Sequence, residues 1–76
     1  MLKGKEKIME DITVTSKKHD GIGTKIHFSK GDNHYVASDN GIERLIFEAD
    51  KNGNIIDWSG VYDRWTNDVI DHLFED

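Results

Sequence analysis

Residues 43–62 read ERLIFEADKNGNIIDWSGVY, and the conformation of this stretch decides the fold. Asn52-Gly53 stands at its centre, between two runs rich in β-branched and aromatic residues. Such a pair is the strongest short-range hairpin signal, since a two-residue type I′ turn needs positive φ at both positions. That turn sets Phe47 opposite Trp58 and Ala49 opposite Ile56, and all four then share one face with Leu45. An aromatic cross-strand pair is worth about 0.2–1 kcal/mol over a small-residue pair. The stretch also admits a competitor. Ile42, Leu45, Ile46 and Ala49 fall at helical spacing, with Asp39 as a cap. The quality of pairing across Asn52-Gly53 favours the strand.

Working outward, Gly and Asn/Asp punctuate the chain at HDGIG (19–23), KGDN (30–33), SDNGI (38–42) and DKNGN (50–54). Between and beyond them lie five candidate strands: Ile12–Lys18, Thr24–Ser29, His34–Ser38, Glu43–Ala49 and Ile55–Tyr62. A type II′ turn at Gly31-Asp32, with Gly first, pairs Phe28 with Tyr35 and Ile26 with Ala37. Placing Val14 opposite Phe28 needs an odd connection, which predicts a three-residue loop Asp20–Ile22 with Gly21 left-handed. The connection before residue 43 also needs an odd length. After Tyr62 the apolar period changes. Trp65, Val69, Ile70, Leu73 and Phe74 form a helical stripe, with Thr66 or Asn67 as cap and Asp68 where the helix dipole favours an anion. The fold class is α+β: an antiparallel β-meander of about five strands with one C-terminal helix packed on one face. Residues 11–76 form the domain, and 1–10 a flexible arm.

With 76 residues there is room for one domain near the lower limit of unaided folding, and without cysteine there is no disulfide, thiolate metal site or nucleophilic thiol. No apolar run is long enough for a membrane span, and the lysine-bearing N-terminus lacks the apolar stretch of a signal peptide. A cytoplasmic location is expected, with Met9 as a second candidate start. Net charge is −5, unevenly spread. Residues 1–30 carry seven lysines against four acids, a balance of +3, and residues 31–76 carry three cations against eleven acids, a balance of −8. Such a field disfavours direct nucleic-acid binding and anionic lipid, and suits a basic protein partner or simple solubility.

The registers put Val14, Ile26, Phe28, Tyr35, Leu45, Phe47, Ile56 and Trp58 on the face under the helix. The other face receives His27, Ser29, His34, Val36, Arg44, Ile46, Glu48, Ile55, Asp57, Ser59 and Val61. Glu48 and Asp57 then fall directly opposite one another, a costly placement that solvent, a cation or a basic partner would relieve. An open sheet face offers no cleft for paired carboxylates to act as acid and base. DKNGNIID (50–57) fails as a calcium loop, because its sixth and twelfth positions hold Ile55 and Val61. His19, His27, His34 and His72 show no metal-ligand spacing, although His27 and His34 are diagonal neighbours. GIGTK (21–25) lacks the glycines and following helix of a phosphate cradle. No catalytic residue, metal site or cofactor is assigned, and the protein is not expected to be an enzyme.

The stretch LIFEADKNGNIIDWSGVYDRW (45–65) resembles a pattern met in small uncharacterised proteins of bacteriophages and prophages. There a strand, an Asn-Gly or Asp-Gly turn and a strand ending Asp-Trp precede a short acidic helix. The resemblance implies a mobile-element origin and a class rich in inhibitors of host or defence proteins, anti-CRISPR proteins and DNA mimics among them. The expected activity is non-catalytic protein binding that blocks a basic, nucleic-acid-facing site. Glu48, Asp57, Asp63, Asp68 and Asp71 supply the charge, and Ile46, Ile55 and Val61 the apolar centre. The alternative is a small structural domain whose open sheet face closes a homodimer.

Overall fold

The computed structural model describes residues 6–9 and 11–74, with side chains from residue 11 onward. Among the described residues six strands run in sequence order: β1 (Glu6–Met9), β2 (Ile12–Asp20), β3 (Gly23–Lys30), β4 (Asn33–Asp39), β5 (Arg44–Ala49) and β6 (Ile55–Asp57), followed by helix α1 (Arg64–Phe74). All neighbours pair antiparallel in the order β1-β2-β3-β4-β5-β6, so the sheet is a pure meander. The expected meander and C-terminal helix are both present. Within the stretch 1–10, expected as an arm, residues 6–9 form β1 against β2. The rest of that stretch, residues 1–5 and 10, lies outside the described residues.

The Gly31-Asp32 turn has the expected geometry. Gly31 takes φ +61° while Asp32 keeps a negative φ, as type II′ requires, and Phe28 pairs with Tyr35 and Ile26 with Ala37. Val14 also pairs with Phe28, but by another route. The connection after Asp20 is a two-residue turn, Gly21-Ile22, with no left-handed residue. Asp20 Oδ1 accepts the N–H of both Ile22 and Gly23 at 2.9 Å, which closes that turn. The odd residue sits instead in a bulge at Thr15, between the Val14–Phe28 and Ser16–His27 pairs.

Residues 44–49 are strand, so the helical competitor for 42–49 does not form. Asp39 and Asn40 hold the connecting loop by accepting N–H groups of Gly41, and of Ile42 and Glu43. That loop has four residues, 40–43, where an odd number was expected, and the difference inverts β5. Ala37 now faces Ile46, and Val36 faces Phe47. Ile46, with 1% of its surface exposed, therefore belongs to the core, whereas Leu45, Phe47 and Ala49 point to the other side.

The core lies between sheet and helix. Ile12, Ile26, Phe28, Ala37 and Ile46 from the sheet meet Val69 and Leu73 from α1, flanked by Val14, Tyr35, Val61, Trp65, Ile70 and Phe74. Phe28, Tyr35 and Trp65 form an aromatic cluster with centroids 5.1–6.4 Å apart. The helical stripe appears as the sequence predicts, but α1 starts at Arg64, ahead of the expected cap. Thr66 lies inside the first turn, and its buried hydroxyl donates to the Asp63 carbonyl at 2.7 Å. Asp68 consequently sits in the second turn, away from the helix N-terminus.

The Asn52-Gly53 turn is not type I′. Asn52 keeps a negative φ and Gly53 alone is left-handed, at φ +87°. Gly53 N–H donates to the Asp50 carbonyl and Asp50 N–H to the Asn54 carbonyl, which defines a three-residue loop, Lys51–Gly53. Ala49 thus pairs with Ile55 instead of Ile56, and a bulge at Ile56 restores the expected Glu48–Asp57 pair. β6 ends there, well short of Tyr62. Beyond it Val61 N–H donates to the Ile46 carbonyl at 2.7 Å and leads the chain back toward the helix face.

Candidate functional site

The inversion of β5 separates residues that the sequence had placed together. Ile46 is buried against α1, Val61 is half-buried beside it, and Ile55 lies on the other face opposite Ala49. Ile46, Ile55 and Val61 therefore form no exposed apolar centre. The physical reason is parity: one residue fewer or more in the 40–43 loop exchanges the two sides of everything that follows.

The acids fare differently. Glu48 and Asp57 are directly opposite one another on exposed ground, on the side of the sheet that carries the helix. Asp63 directly precedes α1, and Asp68 and Asp71 are exposed on its outer face. Asp57 has a second duty. Its Oδ1 accepts the Ser59 N–H at 2.9 Å, and that bond, with help from the Ser59 hydroxyl, holds its pKa below the usual carboxylate value. Asp20, Asp39 and Asp50 are lowered in the same way, chiefly by backbone N–H groups of the turns they close. Part of the acid excess therefore locks loops.

Large apolar side chains stand exposed near these acids. Ile56 is 62% exposed at its bulge and Tyr62 74% exposed, so Asp57 and Asp63 each have such a neighbour in sequence. Neither residue figured among the sequence candidates. The bulge that turns Ile56 outward has no sequence mark of its own.

The other face is covered in part. The β5–β6 hairpin curls across it, so that a Cβ placed on Gly53 would lie 3.0 Å from His27 Nδ1. Trp58 leans on Phe47 with ring centroids 5.2 Å apart. Beneath this cover His27, Val36, Phe47 and Ala49 are buried. His27 and His34, expected as diagonal neighbours, do meet: His27 Nε2 and His34 Nδ1 are 3.1 Å apart, one donating to the other. Among the described residues no group of three or more His, Cys, Asp or Glu side chains is placed to hold a metal. Nor, among them, is any helix long and apolar enough to cross a membrane.

A further pair appears only because of the Thr15 bulge. Lys18 lies directly opposite Lys25 on the face shared with Ser16 and His27. The register expected from the sequence would have put Lys18 beside Thr24 instead. Comparison of the chain with family models, curated proteins and solved structures finds no match.

Proposed function

We propose that this protein is a non-catalytic binding domain whose contact surface is the acidic helix side, with charge from Glu48, Asp57, Asp63, Asp68 and Asp71 and apolar anchors in Ile56 and Tyr62, which neighbour Asp57 and Asp63 in sequence. The observation that carries the reading is the exposure of Ile56 and Tyr62, at 62% and 74%, next to carboxylates that no lysine or arginine pairs with among the described residues. Large apolar and aromatic side chains rimmed by charge are what protein interfaces use as anchors. The complementary partner is a basic protein surface. A basic surface that otherwise faces nucleic acid fits best, which agrees with the inhibitor class implied by the phage and prophage resemblance.

The homodimer alternative loses the arrangement on which it rested. Ile46 is in the core, and the sheet face away from the helix is partly covered by this chain's own residues around Gly53 and Trp58.

The test starts from a partner captured on the immobilised protein and then purified. Titration of that partner should show affinity falling about tenfold or more for Glu48→Lys/Asp57→Lys and for Tyr62→Ala, with steep loss on added salt. Duplex DNA should compete. Unchanged affinity in both variants, with far-UV circular dichroism confirming the fold, removes the helix side from the account.

A further inference from the structure

The face opposite the helix carries a feature that partner binding on the helix side does not use. A cleft of about 440 Å³ opens between β2–β3 and the segment running from Asn52 to Trp58. Its floor includes Ser16, Lys18, Lys25 and His27, and Asn54 and Trp58 form the far wall. That volume lies within the range of small-molecule sites.

Two properties point to the occupant. Lys18 and Lys25 are directly opposite on neighbouring strands, a like-charge placement that costs stability and that an anion between them would relieve. Both are exposed, and neither makes an ion pair among the described residues. The carboxylate nearest in sequence, Asp20, gives its Oδ1 to two backbone N–H groups of its turn and also feels the Lys25 charge, without forming an ion pair with it. The second property is Trp58. It is 68% exposed, rests on Phe47 and stands between this cleft, whose lining among the described residues holds no carboxylate, and a smaller one of about 200 Å³ lined by Asp20, Asp39 and Glu43, which would repel phosphate. A tryptophan propped from behind beside paired ammonium groups offers a stacking surface next to an anion seat.

We infer that this cleft is a nucleotide site, with the phosphates between Lys18 and Lys25 and the base against Trp58. A free nucleotide suits it better than a polynucleotide, because the chain as a whole carries −5 and its helix side would repel a long polyanion. The recognition is of phosphate beside a planar ring. It specifies no particular base.

Calorimetric titration with ATP, with inorganic tripolyphosphate and with a short oligothymidylate separates the terms. ATP should bind at least about tenfold more tightly than tripolyphosphate, the difference being the stacked base. The indole N–H resonance of Trp58 should move on ATP addition while that of Trp65, on α1 against Phe28 and Tyr35, stays in place. Lys18→Gln/Lys25→Gln should weaken ATP by about tenfold or more, and so should Trp58→Ala. Both changes are at exposed positions, and thermal unfolding of each variant checks that the fold survives. Equal binding of ATP and tripolyphosphate, or ATP affinity indifferent to the lysine pair, overturns the assignment. Binding of the oligothymidylate with none of ATP overturns it in favour of a single-strand site.

Discussion

Truncating Ile46 to alanine probes the inverted register of β5 through stability. Ile46 is 1% exposed and packs with Ala37 and Val69 at the centre of the core, so Ile46→Ala removes three buried carbons from a site walled by sheet and helix. Replacements of this kind cost about 2–5 kcal/mol, the transfer term plus the cavity left behind. Domains hold roughly 0.05–0.15 kcal/mol per residue, which gives a chain of 76 residues about 4–11 kcal/mol in total. The variant should therefore fold with much of its margin gone. At about 4–8 °C per kcal/mol for a domain of this size, its Tm should fall by at least about 8 °C. The contrasting substitution is Leu45→Ala. Leu45 is half-buried beside Trp58 on the opposite face, and its truncation should cost less than Ile46→Ala. Urea titrations followed by tryptophan fluorescence measure both. An Ile46→Ala loss under about 0.5 kcal/mol, with a larger loss for Leu45→Ala, would place Ile46 outside the core and refute the register.

Three other outcomes follow from particular bonds and contacts. Stability should fall as pH drops below about 4, because Asp20, Asp39, Asp50 and Asp57 have folded pKa values below their unfolded ones. Their contribution is complete above the unfolded value and is lost as pH falls through the folded ones; urea midpoints that hold steady from pH 6 to 2 would contradict this. Gly53→Ala should cost about 1–2 kcal/mol for the left-handed φ alone, with the added methyl also pressing on the His27 ring, as chemical denaturation will show. Ile56→Ala and Tyr62→Ala should change stability by no more than about 0.5 kcal/mol in the same assay, since both side chains are mostly exposed.

What the sequence disclosed, and what it hid, divides along parity. The apolar pattern determines whether the residues between two paired positions total an odd or an even number. It does not say where the odd one sits. Val14 opposite Phe28 and Glu48 opposite Asp57 were both legible for that reason. In the first case the odd residue is a bulge at Thr15 and not a longer turn at Asp20–Ile22. In the second a three-residue loop and a bulge at Ile56 cancel, giving the pairing that a two-residue turn would have given. The Lys18–Lys25 pair stayed invisible because it depends on the bulge position itself.

The register of β5 is hidden for a different reason. It is apolar on both faces, with Leu45, Phe47 and Ala49 on one and Ile46 on the other, so alternation does not specify its register. Three apolar residues argue for the helix side, but the hairpin that follows covers those three with Trp58 and the Asp50–Asn54 loop, leaving Ile46 for the core. Long-range cover of this kind has no local signature. The acids at Glu48, Asp57, Asp63, Asp68 and Asp71 kept their exposure through the inversion, while the apolar residues assigned to accompany them did not.

Both proposed surfaces stand on the same geometry, in which β5 gives Ile46 to the helix and the hairpin after it folds over His27. Nuclear Overhauser contacts in the isotopically labelled protein read that geometry directly. The Ile46 methyls should show cross-peaks to those of Val69 and Leu73, and the Gly53 α-protons to the His27 ring. Cross-peaks from Leu45 and the Phe47 ring to Val69 and Leu73, with none between Gly53 and His27, would contradict it and exchange the two faces.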